Sequence, residues 1–195
     1  MLPQISFSFL TIYFPLILSW IIFGATVFVF LRRREYLALY TVRLFYILIC
    51  YRILYATLLS ILQYNAWHNN PFSQYLLPPH QPFSYFLTYS GMHFWFYPAL
   101  ALMTALLVLF FFGALRKVNA DWFLAGEISL GVLLTFLLGW PLSLFLVPMS
   151  FFGAVLLSLI AMSMKRGQHV SLGGVMLSVG GTLLVFGVFF LHLFH

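Results

Sequence analysis

Short junctions and one long aromatic loop divide the chain into six long apolar runs, at roughly 10–31, 37–62, 93–115, 122–140, 143–164 and 170–193. A helix needs about 20 apolar residues to cross about 30 Å of hydrocarbon, so each run reads as a transmembrane span. Composition agrees: 64% of the 195 residues are hydrophobic and 6% are charged, where an ordinary soluble domain carries about 25%. The expected class is an all-α polytopic membrane protein, with residues 1–195 forming a single integral membrane domain. Soluble globular, disordered and collagen-like classes are excluded.

Charge placement sets the expected orientation. Arg32, Arg33 and Arg34 follow the first run, Arg116 and Lys117 the third, and Lys165 and Arg166 the fifth, so seven of nine basic residues lie at alternate junctions. Such junctions are cytoplasmic, which puts the N-terminus, the C-terminus and the long loop 63–91 outside. No basic segment precedes the first run, so it reads as a retained helix and not as a cleaved signal. The same grouping makes the net charge of +6 a topology signal and not a nucleic-acid surface.

Several chemistries are missing. The single cysteine, Cys50, allows no intramolecular disulfide, no cysteine-based zinc cluster and no CxxC redox centre. Three acidic residues leave hydrated divalent cations without ligands. No P-loop or dinucleotide fingerprint is present. No Ser-His-Asp arrangement can be read, because Asp121 is cytoplasmic and the histidines lie mostly outside.

The loop 63–91 has no Asp, Glu, Lys or Arg, and combines four prolines with a dense set of aromatic rings. Amphipathic rings settle at headgroup level, which predicts a short interfacial element, broken by Pro78, Pro79 and Pro82, lying along the outer face. It reads as a surface cap or as a platform for lipid or a partner. Gly139, Trp140 and Pro141 predict a tight turn at the outer interface, and Pro148 predicts a late start or a kink in the next helix. Gly173, Gly174, Gly180, Gly181 and Gly187 in the last run read as a close-packing face.

Three ionisable residues fall inside the runs: Arg43, Arg52 and Glu127. An arginine near the bilayer centre costs about 2.5–3.5 kcal/mol, so each should face a partner. Arg43 and Glu127 lie at similar expected depth and are read as a structural ion pair holding the second span to the fourth. Arg52 lies about 180° around the helix from Arg43 and about 13 Å further out, with no acid at its depth. Flanked by Tyr51 and Tyr55, it has two candidate partners. One is a phospholipid phosphate, bound bidentately by the guanidinium. The other is backbone carbonyls at the outer end of the fourth or fifth span.

His68, His80, His93, His192 and His195 gather on the expected outer side, and His169 inside. His93 and His192 lie near one depth on two helices, where they could ligate a haem. His192 and His195 share a helical face, a weak metal signal without a carboxylate.

Certain short stretches carry a family likeness. MLPQI opens the chain, LRRREY closes the first span, and Tyr51-Arg52-Ile53-Leu54-Tyr55 sits in the second. Gly91, Met92 and Phe94 of YSGMHFWFYPAL open the third, and Gly131 and Gly139 recur in GVLLTFLLGWPLSLF. In these features and in layout the first 145 or so residues resemble the prolipoprotein diacylglyceryl transferases, which move a diacylglyceryl group from phosphatidylglycerol to a lipobox cysteine. The family histidine falls on Trp95 and its small glycines on Phe96 and Tyr97. The arginine and asparagine of the family's later signature have no counterpart.

The resemblance implies a transferase-like fold with a dismantled active site, a bacterial inner-membrane location, and Arg52 as the one retained family-like polar residue. Tyr51, Tyr55 and Trp95 join it as lipid-binding candidates. The expected role is a noncatalytic accessory or assembly subunit of a larger membrane complex, with membrane lipids, phosphatidylglycerol among them, and other integral membrane subunits as partners. It needs no cofactor beyond phospholipid. Alternatives are a divergent outer-leaflet transferase, with Arg52 holding phosphate and His93 as base, and a haem- or quinone-carrying electron-transfer subunit.

Overall fold

A computed structural model describes residues 14–119, 123, 124, 126–163 and 171–193, with the side chains of the last helix described to Gly187. Helix α1 is Phe14–Arg32, and a 3-10 turn at Arg34–Tyr36 leads into α2, Leu37–His68. After a 3-10 turn at Ser73–Leu76 comes α3, Phe83–Ser90, which passes through a π-helical segment, Gly91–Trp95, into α4, Phe96–Val118. Helices α5, Glu127–Leu138, α6, Ser143–Ser163, and α7, Leu172–Leu193, complete the chain. The described residues contain no strand, and α1, α2, the α3–α4 rod and α6 are long and apolar enough to cross a membrane. The protein is an all-α polytopic membrane protein, as its apolar runs predict. The residues MLPQI, Asp121, Lys165, Arg166, His169 and His195 lie outside the described set.

The fourth run departs most from expectation. In place of a span over 122–140, α5 is a helix of 12 residues, about 18 Å long at 1.5 Å per residue and too short to cross the hydrocarbon. Leu130, Gly131, Val132, Leu133, Leu134, Thr135, Phe136 and Leu137 are all buried. A helix apolar on every side belongs in lipid or in a core, and periodicity does not tell the two apart. Here it is the core: α1, α2, α4, α6 and α7 all pack on α5. Gly131 permits this closeness, since a Cβ there would stand 2.8 Å from the Phe112 ring.

Two boundaries also shift. Helix α2 runs 32 residues to His68, six beyond the expected end of its span, because LQYNAWH contains nothing that breaks a helix. Pro82 caps α3 with φ −65° and ψ 146° and thereby starts that helix, where an interruption was expected. The loop therefore contracts to residues 69–82, and Trp67, Leu77 and Phe86 bury one another beneath it, with Tyr64, Leu76 and Tyr89 packed around them. In the π segment the Phe96 N–H donates to the Gly91 carbonyl. Pro98, four residues after Phe94, has no N–H to return to the Phe94 carbonyl, and the ladder widens where that donor is missing. Helix α6 starts at Ser143 with Pro148 inside it, so the proline does not delay it.

Candidate functional site

Helix α2 decides where its two arginines point. Leu37, Thr41, Leu48, Ala56 and Leu59 are its buried stripe. Arg52 is four residues from both Leu48 and Ala56, so it shares that stripe and faces α5. Arg43, two residues past Thr41, is turned about 200° away and is exposed.

Arg52 meets the C-terminal end of α5. Its Nη2 donates to the carbonyls of Phe136 at 2.7 Å and Leu137 at 3.3 Å, and the guanidinium lies 4.6 Å from the centre of the Phe136 ring. The last carbonyls of a helix lack intrahelical donors. Here the sequence removes one outright: the residue four beyond Leu137 is Pro141, which has no N–H. Gly139 ends the helix at φ +69°, and a Cβ on it would lie 3.5 Å from Arg52 Nη2. A cation at a helix C-terminus also complements the macrodipole. Of the two partners the sequence leaves open for Arg52, the backbone carbonyls are present and take the hydrogen bonds of Nη2.

The Gly139–Pro141 turn lies beside Arg52, 15 residues or about 22 Å along α2 from Leu37, with Gly139 buried and Trp140 and Pro141 exposed.

Glu127 is the counterpart at the other end. It is 3% exposed, and no cation pairs with it among the described residues. Its Oε2 accepts the Leu124 N–H at 3.1 Å. Its Oε1 accepts the Gly173 N–H and the Ser171 hydroxyl, each at 2.8 Å. The carboxylate thus joins the start of α5 to the start of α7, two places where backbone donors lack intrahelical acceptors and the dipole is positive. Gly173 is needed for the approach, as a Cβ there would stand 3.1 Å from Oε1 and 3.0 Å from the Phe30 ring.

The expected Arg43–Glu127 ion pair is therefore corrected. With α5 starting at Glu127, the carboxylate sits at the foot of the bundle. Gly126 packs there against Leu37 and Ala38, about 9 Å along α2 from Arg43. Small hydroxyls join α2 to α5 instead: Thr41 Oγ1 donates to Ser129 Oγ at 2.7 Å, and Ser129 Oγ donates to the Gly126 carbonyl at 3.0 Å.

The remaining candidates are scattered. Tyr51 and Tyr55 stack beside Arg52 with ring centres 5.7 Å apart, and the buried Tyr51 hydroxyl has no hydrogen-bond partner among the described residues. Trp95 lies elsewhere: its Nε1 donates to Ser60 Oγ at 3.3 Å, eight residues or about 12 Å beyond Arg52 along α2. Ser60 and Ser90 share a 2.6 Å hydrogen bond, at an open apolar groove of about 550 Å³ between α2 and α3. His93 lies against the Tyr89 ring at 4.0 Å, and its Nδ1 is 2.9 Å from the Tyr89 carbonyl. The His192 side chain lies outside the described set, and no three His, Cys, Asp or Glu gather as metal ligands among the described residues.

Sequence reasoning singled out Arg52 and Glu127 and named backbone carbonyls as one of two candidate partners for Arg52, without singling out those of Phe136 and Leu137, and it missed what Glu127 binds: the Leu124 and Gly173 amides and the Ser171 hydroxyl. For the first pair the signal was present, a proline four residues after Leu137. For the others nothing local points across the 46 residues that separate Glu127 from Gly173. The arrangement can hold a short helix at both ends. No protein-family model, curated protein or solved structure matches the chain.

Proposed function

We propose that this protein is a noncatalytic integral membrane subunit that works by packing against other membrane proteins, with a layout resembling the diacylglyceryl transferases but without their chemistry. The observation that carries the reading is the use of Arg52 and Glu127. These buried charges are what a transferase, carrier or proton relay would need at its working site, and both are occupied as caps of α5. His93, the candidate base of an enzymatic reading, is stacked on Tyr89 and held near its carbonyl. Helix α6 adds apolar surface that the chain does not cover, with Phe145, Met149, Phe152 and Leu156 all exposed.

The test is extraction in mild detergent followed by cross-linking and mass spectrometry. The expected result is a stoichiometric membrane-protein partner whose cross-links map to α6. Transfer of a diacylglyceryl group from labelled phosphatidylglycerol to a lipobox peptide by the purified protein, abolished in His93→Ala, would overturn the reading. So would a purified sample that carries haem or quinone.

A further inference from the structure

We propose that Arg43 is a binding site for the phosphate of an anionic phospholipid in the leaflet at the basic end of the bundle. The site is independent of the assembly role above, because it needs only a lipid bilayer.

Arg43 is exposed, and among the described residues it makes no hydrogen bond or ion pair. The face around it is apolar and uncovered. Leu39 and Val42 on one side are 53% and 42% exposed, and Tyr46 and Ile47 on the other are 64% and 59%. Leu39, Tyr46 and Ile47 lie three or four positions from Arg43 and share its side of α2, and Val42 widens the same exposed surface. This surface therefore faces hydrocarbon, and a cation there must find an anion or reach the headgroups.

Geometry favours the second course. Arg43 is six residues, about 9 Å, from the start of α2. Side chains of a helix tilt toward its N-terminus, and α2 begins at the basic end. The Arg43 side chain is thus directed back toward the headgroups, where a guanidinium can snorkel and grip phosphate oxygens with its planar fork. Tyr36, 53% exposed at the first turn, is placed where an amphipathic ring sits at the same boundary. Arg32, Arg33, Arg34, Arg116 and Lys117 ring that end with positive charge, which raises the local share of anionic lipid.

The experiment uses full-length protein in bilayers of phosphatidylcholine and phosphatidylglycerol, extracted in mild detergent and weighed by native mass spectrometry. Wild type is expected to retain phosphatidylglycerol, Arg43→Lys to retain part of it because it keeps the charge but not the fork, and Arg43→Leu to retain about fivefold less. Arg116→Leu, which removes the same charge from the end of α4, is expected to lose less. Undiminished phosphatidylglycerol on Arg43→Leu would overturn the site, and so would equal losses in Arg43→Leu and Arg116→Leu, which mark a general surface attraction. A photo-cross-linker at Leu39 or Ile47 that captures a polypeptide in place of lipid would also overturn it.

Discussion

Arg52 and Glu127 sit at opposite ends of one short helix, α5, with a guanidinium on its terminal carbonyls and a carboxylate at its start. Both charges oppose the macrodipole in the favourable sense. A helix that ends inside the bundle instead of in water has its backbone completed by side chains of its own protein.

Removing the first of these caps leaves buried carbonyls without donors. Arg52→Ala is expected to lower stability in detergent by about 1.5–3 kcal/mol, the range for a hydrogen bond to a charged group. Arg52→Lys should recover part of the loss, since it keeps the charge but not the fork. Thermal unfolding followed by circular dichroism measures both, and equal stability of wild type and Arg52→Ala would show that the carbonyls have another donor.

Glu127→Ala strands the Leu124 and Gly173 amides and is expected to cost about 2–4 kcal/mol. Arg43→Ala, on an exposed face, should change stability by no more than about 0.5 kcal/mol. The double variant should then equal the sum of the singles within about 0.5 kcal/mol. A coupling well above that value in the cycle would restore the ion pair that the structure lacks.

Two glycines rank by what surrounds them. Gly139→Ala places a side chain at φ +69° and ψ 174°, a region kept almost entirely to glycine, with a strain of about 1–3 kcal/mol. Gly126→Ala adds to φ +87° a Cβ only 2.9 Å from the backbone nitrogen of Ala38, so it should be the more damaging of the two. Denaturant midpoints measured side by side check the order.

The hydroxyl contact between α2 and α5 is a smaller effect. Thr41→Val keeps the shape and removes the 2.7 Å bond to Ser129, for an expected loss of about 0.6 kcal/mol. A loss several times larger would mean that Thr41 does more than join the two helices.

Much of the fold is readable from hydropathy alone, because the cost of exposing apolar runs to water leaves few alternatives. α1, α4 and α6 fall close to their expected limits for that reason. The extent of α5 was not readable: EISLGVLLTFLL is equally apolar whether lipid or protein surrounds it. Misplacing its start by about five residues set Glu127 too deep and suggested a partner it does not have. Arg52 was legible as a group in need of a partner, because charge inside hydrocarbon is costly. Which partner it has depends on where α5 stops, and only Pro141 hinted at that.

The clamp on Glu127 bears on how the chain is made. A ribosome delivers α5 before α7, and 46 residues separate the carboxylate from the Gly173 amide. Until those residues emerge, the Leu124 amide is the one already made of Glu127's three partners among the described residues, so an unfinished chain leaves most of that side chain's hydrogen bonds unmade at the foot of its innermost segment. The arrival of the last segment is what lets that foot settle.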